Sequence, residues 1–312
     1  MGGTYAAVDL GATNVRAAIG DERELRSKVS ERTERSRGAE GVSEQIVRLI
    51  EALPGGFRAI GVGSIGPVDL GSGCVVNTPN LPFKRIPVVE PLKEHFQVPV
   101  AMLNDCSAAA LGERDYGAGR GLSNIVYVTL STGLGGGAIV DGHLLVGKDG
   151  NAVEVGHLTI EADSPLVCGC GKRGHWEAYC SGSNIPNLAR LMLENYRRET
   201  CLRAEGYPKP LTAERIFNAA RAGDPAARKI VSRIGEVNAI GFADIVNVFD
   251  PEVLTVGGSI ALNNPDLVMG PILDGIDRHL INRKPKILIT PLGEDVVLYG
   301  ALALARSVAG DS

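Results

Sequence analysis

Two stretches of the chain repeat one pattern of apolar and small polar positions. Tyr5-Ala-Ala-Val-Asp-Leu-Gly-Ala-Thr-Asn-Val-Arg-Ala-Ala-Ile19 and Ile125-Val-Tyr-Val-Thr-Leu-Ser-Thr-Gly-Leu-Gly-Gly-Gly-Ala-Ile139 each read as an apolar strand, a Gly/Thr-rich turn and a second apolar strand. A hairpin with a tip free of bulk, occurring twice, predicts two related α/β lobes. The spacing of Val42, Ile46, Leu49 and Ile50 predicts a helix over 42–53, and 59–64 reads as a buried strand. A strand over 98–103 runs into Asn104-Asp105 and an alanine-rich helix over 107–113. Strand followed by helix, repeated, argues for a sheet covered by helices. The glycine-rich run 116–121 reads as the join between lobes. Beyond it come helices around 185–197 and 213–248, a strand at 253–256, and an apolar helix over 298–308 that can fold back on either lobe.

The length of 312 residues and an apolar fraction of 44% supply a core to each of two domains of ordinary size. A net charge of −4, basic residues scattered from Arg16 to Arg306 and few aromatics between them argue against a nucleic-acid surface. The chain opens on an apolar strand without the basic region and apolar core of a signal peptide, and no segment approaches a membrane span, so a cytoplasmic protein is expected. In that compartment the six cysteines read as thiols or metal ligands rather than as a disulfide framework.

Several short motifs can carry chemistry. At the first hairpin tip, Gly11 lets the backbone approach an anion, Thr13 offers a hydroxyl, and Asp9 can stand near a hydrated Mg²⁺; the same residues also make an ordinary tight hairpin. The second tip, 130–137, is its match, and two such loops could clamp one polyphosphate. Asn104-Asp105 lies where a strand gives way to a helix, a usual ligand-binding position in open α/β sheets. Asp105 there is either a general base or, with Asn104, a helix cap. Glu154 and His157 are spaced to face one pocket, the carboxylate suited to accept from neighbouring sugar hydroxyls, although taken alone the pair reads as a solvated Glu and a surface His. Cys168, Cys170, His175 and His157 form a Cys₂His₂ set, with Cys180 a possible substitute. Such borderline-soft N/S donors point to zinc, structural because four protein ligands leave no position for water. Gly257 and Gly258, after the strand at 253–256, permit close approach of a nucleotide or simply a tight turn.

Taken together and in order, Asp9-Leu-Gly-Ala-Thr-Asn-Val-Arg16, Asn104-Asp105, Leu130-Ser-Thr-Gly-Leu-Gly-Gly-Gly137, Glu154-Val-Gly-His157 and Cys168-Gly-Cys-Gly-Lys-Arg-Gly-His-Trp-Glu-Ala-Tyr-Cys-Ser-Gly182 resemble the ROK family of repressors, open reading frames and sugar kinases. The resemblance spans essentially the whole chain. It implies a two-lobed, actin-like (ribonuclease H-like) α/β fold with the active site between lobes. The lobes expected are 1–115, joined by the C-terminal helix 298–312, and 116–297 with the zinc knuckle. It further implies that the loop of Asp9, Gly11, Thr13, Asn14 and Arg16 and the loop of Thr132, Gly133 and Gly135 hold ATP phosphates. Gly257 and Gly258 would lie beside the adenosine, and Asp105 would be the catalytic base. Sugar hydroxyls would meet Asn80, Asn104, Asp105, Glu154, His157 and Glu177, with Gly66 alongside. His157 would both ligate zinc and face the sugar, and His175 replaces the third cysteine of the usual knuckle.

The expected activity is ATP- and Mg²⁺-dependent phosphorylation of a hexose 6-hydroxyl, that of a glucokinase or broad-specificity hexokinase. Kinases of N-acetylmannosamine, N-acetylglucosamine or fructose share the same pocket contacts. A sugar-responsive repressor is disfavoured because Asp9 falls too near the start to leave room for a helix-turn-helix. An actin-like ATPase acting on a protein partner would leave Glu154, His157 and the knuckle without a task. A homodimer or homotetramer is expected from the resemblance. Metal removal is expected to damage sugar binding before ATP binding.

Overall fold

Every residue of the first strand, β1 (Tyr5–Leu10), is buried, and the computed structural model, which describes residues 3–203 and 211–311, shows what covers it. β1 pairs antiparallel with β2 (Asn14–Gly20), and β2 pairs antiparallel with β3 (Leu25–Arg32). After α1 (Gly38–Glu51), β4 (Ile60–Ser64) lies parallel to β1. A small sheet of β5 (Val68–Asp69), β6 (Cys74–Val76) and β7 (Arg85–Pro87) follows. Helix α2 (Val89–Phe96) leads to β8 (Val100–Asn104), parallel to β4, from whose end α3 (Asp105–Asp115) departs. The sheet order is β3-β2-β1-β4-β8.

The repeated hairpin pattern is β9 (Ile125–Leu130) and β10 (Leu134–Val140), followed by β11 (His143–Leu144). After a 3₁₀ turn at Val155–His157 come α4 (Glu177–Cys180), α5 (Ile185–Glu194), α6 (Ala213–Arg221) and α7 (Pro225–Phe249). The helical stretch expected over 213–248 is thus two helices. Gly223 takes a left-handed φ of 95°, and Asp224 caps α7 by accepting from the Ala226 and Ala227 N–H groups at 2.9 Å. The chain closes with β12 (Val253–Gly257), α8 (Ser259–Asn263), α9 (Pro265–Gly275), β13 (Lys286–Ile289) and α10 (Val296–Val308). The second large sheet has the order β11-β10-β9-β12-β13. Contacts divide the chain into two units, one of Met1–Tyr127, Gly137–Val153 and Thr290–Ser312, the other of Val128–Gly136 and Glu154–Ile289.

Successive side chains leave a strand on opposite faces, so β1 serves two cores. Ala6, Val8 and Leu10 pack with Val42, Ile46, Leu49 and Ile50 of α1. Tyr5 and Ala7 pack with Leu298, Ala301, Leu302 and Ala305 of α10. The last helix, α10, thus packs on β1 within the first unit. Each fully buried leucine there contributes about 1.5–3 kcal/mol. The approach is close because Gly61 of β4 and Gly300 of α10 carry no side chain; a Cβ at either would run into the backbone carbonyl of Ala301 or Ala108.

Candidate active site and metal centre

The first glycine tip is fastened from behind. Gly11 N–H donates to the Asn14 carbonyl at 3.0 Å, closing the β1–β2 turn, and a Cβ at Gly11 would stand 2.8 Å from that oxygen. The chain leaving β3 secures the tip: Thr33 N–H donates to Thr13 O at 3.0 Å and Thr33 Oγ1 to Gly11 O at 2.7 Å. Thr13 and Asn14 remain exposed. Asp9, one residue from the end of β1, is buried, and its register partner across the ladder is Arg16. Arg16 donates to Asp9 Oδ2 through Nε at 2.9 Å and through Nη2, and reaches Asp295 Oδ1 at 3.4 Å. Asp295 also takes Lys28 at 2.7 Å. Burial raises the Asp9 carboxyl above its ordinary range, while Arg16 pulls the other way. Asp295 escaped the sequence reading because 279 residues separate it from Arg16.

At the end of β8 both Asn104 and Asp105 bond the start of α3. Asn104 is the N-cap of α3, its Oδ1 accepting from Cys106 N–H at 2.9 Å, and Asp105 Oδ1 accepts from the same N–H at 2.8 Å. Asp105 stays half-buried in the first turn. The Asn104 amide nitrogen lies against Gly66, where a Cβ would come within 2.9 Å. Asn151, which no local motif marks, holds the same loop by accepting from Val68 N–H and donating to Val68 O, both at 2.8 Å. Asn80 sits exposed on a turn, its carbonyl accepting from Arg35 at 3.2 Å.

In the other unit, Glu154 precedes the 3₁₀ turn that carries His157, whose N–H donates to Glu154 O at 3.0 Å. Glu154 Oε2 lies 3.8 Å from His157 Nε2. Desolvation raises the Glu154 carboxyl, His157 lowers it, and the Glu177 charge raises it. Val153, immediately before, has φ 64°, a left-handed conformation that a β-branched residue adopts only under constraint.

His157, Cys168, Cys170 and His175 place their ligand atoms within 4.8 Å of one another. Zinc bonds of about 2.3 Å to sulfur and about 2.0 Å to nitrogen set neighbouring ligand atoms of a tetrahedron about 3.3–3.8 Å apart. Cys168 Sγ to His157 Nδ1 is 3.7 Å and Cys170 Sγ to His175 Nδ1 is 3.3 Å, so this donor set fits. Tight turns make the approach possible: Gly171 and Gly174 have φ 84° and 70°. Burial pushes the Cys168 thiol up to about 12, and burial followed by the neighbouring His157 lowers His175. Cys180 does not substitute in this set; it is buried, with its thiol donating to Ile234 O at 3.6 Å.

Trp176, fully buried, anchors the segment after the cluster by donating to Asn238 Oδ1 at 2.9 Å and meeting Phe242 edge-on at 5.3 Å. Glu177 follows, and its Oε2 accepts from Leu134 N–H at 3.0 Å while Cys168 Sγ lies 3.2 Å from its Oε1. The second glycine tip, with Thr132 exposed, is further held by Gly182 N–H on Ser131 O at 2.7 Å and Ser183 N–H on Thr132 O at 3.2 Å. Gly257 ends β12 and Gly258, at φ 84°, opens α8; a Cβ on Gly258 would meet the Leu130 carbonyl at 2.5 Å.

No helix among the described residues is long and apolar enough to cross a membrane. A family model described as the ROK family matches residues 5–308. A glucokinase of Pyrobaculum calidifontis is 44% identical over 303 residues, 96% of this chain and 94% of that protein. A glucokinase of Aeropyrum pernix is 36% identical, covering 96% and 95%. Among solved structures, a ROK hexokinase from Thermus thermophilus superposes with a TM-score of 0.83 at 33% identity, over 99% of this chain and all (100%) of that one. A ROK family glucokinase from Streptomyces griseus in complex with glucose and AMPPNP gives 0.82 at 32% identity, over 98% and 100%.

Proposed function

The chain belongs to the ROK family, and from that premise we propose that Asp105 is the general base of the reaction it catalyses, the ATP-dependent phosphorylation of glucose. One observation carries the assignment: a half-buried carboxylate stands at the first turn of α3, where a parallel strand of the sheet ends. That is where open α/β sheets present groups to a ligand. The Cys106 N–H on its Oδ1 holds the carboxylate in place.

Asp105 accepts the proton of the sugar's 6-hydroxyl as that oxygen attacks the γ-phosphorus of ATP. The bond from phosphorus to the bridging oxygen breaks and ADP leaves. Most of the acceleration in such transfers comes from positioning and charge neutralisation. We assign the remaining sugar hydroxyls to Asn80, Asn104, Glu154, His157 and Glu177, with the Gly66 loop alongside. The phosphates fall to the Gly11–Thr13–Asn14 tip and to the loop of Thr132, Gly133 and Gly135, and the adenosine to Gly257 and Gly258. Asp9 offers a hard oxygen of the kind Mg²⁺ prefers, and the ion, when bound, supplies neutralisation of the phosphate charge. Arg16, being spent on Asp9, orients that carboxylate. His157, Cys168, Cys170 and His175 would hold a zinc ion that would cross-link the loops of 157 and 168–175 and, with four protein ligands, would leave no position for water.

The deciding experiment is phosphoryl transfer from ATP across glucose, mannose, fructose, glucosamine and the N-acetyl sugars. Glucose 6-phosphate as the preferred product is expected. A strong preference for an acetamido sugar, or ATP turnover indifferent to sugar, overturns the reading.

A further inference from the structure

The Cys/His cluster and the second glycine tip lie in one unit, and the Glu177 side chain reaches both. Glu177 is two residues from His175, its Oε1 is 3.2 Å from Cys168 Sγ, and its Oε2 accepts from Leu134 N–H at 3.0 Å. Around that bond the packing is close. A Cβ on Gly133 would lie 3.1 Å from Glu177 Oε2, and one on Gly156, beside His157, would run into the Leu134 carbonyl. The segment just beyond Glu177 donates twice more to the tip, from Gly182 and Ser183. The tip is therefore held on one side by the chain that follows the cluster and on another by the turn that carries His157.

We propose that Glu177 is a positioning residue for the loop 131–136, tying it to the Cys/His cluster so that metal occupancy governs the nucleotide site as well as the sugar wall. The proposal rests on the reading that this loop holds ATP phosphates. A hydrogen bond from an N–H to an ionised carboxylate is among the stronger ones and fixes the amide's direction. It also leaves the carboxylate further acceptor positions, since each oxygen carries two lone pairs. Glu177 can thus accept from Leu134 and still meet a sugar hydroxyl. Release of the cluster frees residues 168–177 to move, Glu177 withdraws from Leu134, and the loop loses a brace that nothing in its own sequence replaces. Metal loss then weakens nucleotide and sugar binding together, where the sequence alone led us to expect sugar binding to fail first.

The test is amide hydrogen exchange of the peptide spanning 131–136, paired with the Kd of AMPPNP measured without sugar. Zinc-loaded wild type, chelator-stripped wild type, Glu177→Ala and Glu177→Gln are compared, with α7 as an internal reference. Stripping and Glu177→Ala are each expected to speed exchange at 131–136 and raise the Kd by about tenfold, the loss of one charge-assisted bond. Glu177→Gln keeps an acceptor for Leu134 and stays within about twofold on both readouts. Unchanged exchange at 131–136 in zinc-loaded Glu177→Ala overturns the proposal. Should chelation open α7 as well, that variant still decides; should the variant fail to fold, chelated wild type decides. Faster exchange with an unchanged Kd means the brace exists but the loop does not hold the nucleotide, so the functional reading fails and the coupling stands.

Discussion

Arg16 and Asp9 face each other across the β1–β2 ladder, and two of the three guanidinium bonds go to one carboxylate oxygen of the buried aspartate. A buried carboxylate left without its partner is costly. Arg16→Met is expected to lower unfolding free energy by about 3 kcal/mol, the lower end for breaking a buried pair because Arg16 keeps some exposure. Arg16→Lys retains charge but loses the planar fork, and should fall between. Asp295→Asn, loosening only the outer contact, should cost under about 1 kcal/mol. Urea unfolding of the three variants checks the order; equal losses at Arg16 and Asp295 would show that Asp9 does not depend on the fork.

Asp105→Asn retains an acceptor for Cys106 N–H, so the start of α3 should survive. Transfer to glucose should fall by about 10²–10⁴, the usual contribution of a general base, with KM for ATP little changed. A near wild-type kcat in a folded Asp105→Asn protein would remove it from the chemistry.

Cys168→Ala and Cys170→Ala should each bind less than one equivalent of zinc per chain and melt at a lower temperature. Mass spectrometry under native conditions and calorimetry read the two effects. Cys180→Ala, whose thiol contacts Ile234 O, should keep its zinc. Loss of metal in the Cys180 variant would contradict the ligand set drawn from the geometry.

Val153 pays for its left-handed φ with strain of about 1–3 kcal/mol. Val153→Gly removes that strain while letting the residue before Glu154 turn freely. The expected outcome is a melting temperature that holds or rises, together with a raised KM for glucose and a smaller change in kcat. A fall in stability with unaltered KM would mean that Val153 matters only for packing.

Glu31 lies well below the usual carboxylate range, at about 2, held there first by hydrogen bonding from Arg48 and then from Gln45 of α1. A depressed carboxyl stabilises the fold above its unfolded value, near 4.5, and that contribution drains away as pH falls towards 2. Glu31→Gln should therefore lower stability at neutral pH, flatten its loss between those pH values and converge with the parent near pH 2. An unchanged slope for the variant would show that the pair on this exposed face contributes nothing.

Much of this was legible along the chain because it is local. Apolar runs bounded by Gly/Thr turns placed β1, β2, β4, β9, β10 and β12, and helical spacing placed α1, each within a few residues. The Cys/His spacing and its glycines marked a metal set whose ligand atoms do converge. Short β5, β6 and β7 carry too few residues for any period to show, and they were not foreseen.

What the sequence determined by itself was the order of the strongly patterned strands and helices and the residue types each motif brings together, because those depend on residues a few positions apart. Only the tertiary structure decided which face of β1 is covered by α10, that Asp295 steadies Arg16, that Asn151 holds the Gly66 loop and that Glu177 accepts from Leu134. Each of those pairs is distant in sequence, and a hydrogen bond or a packed face leaves no trace in composition or period when its two halves belong to different elements.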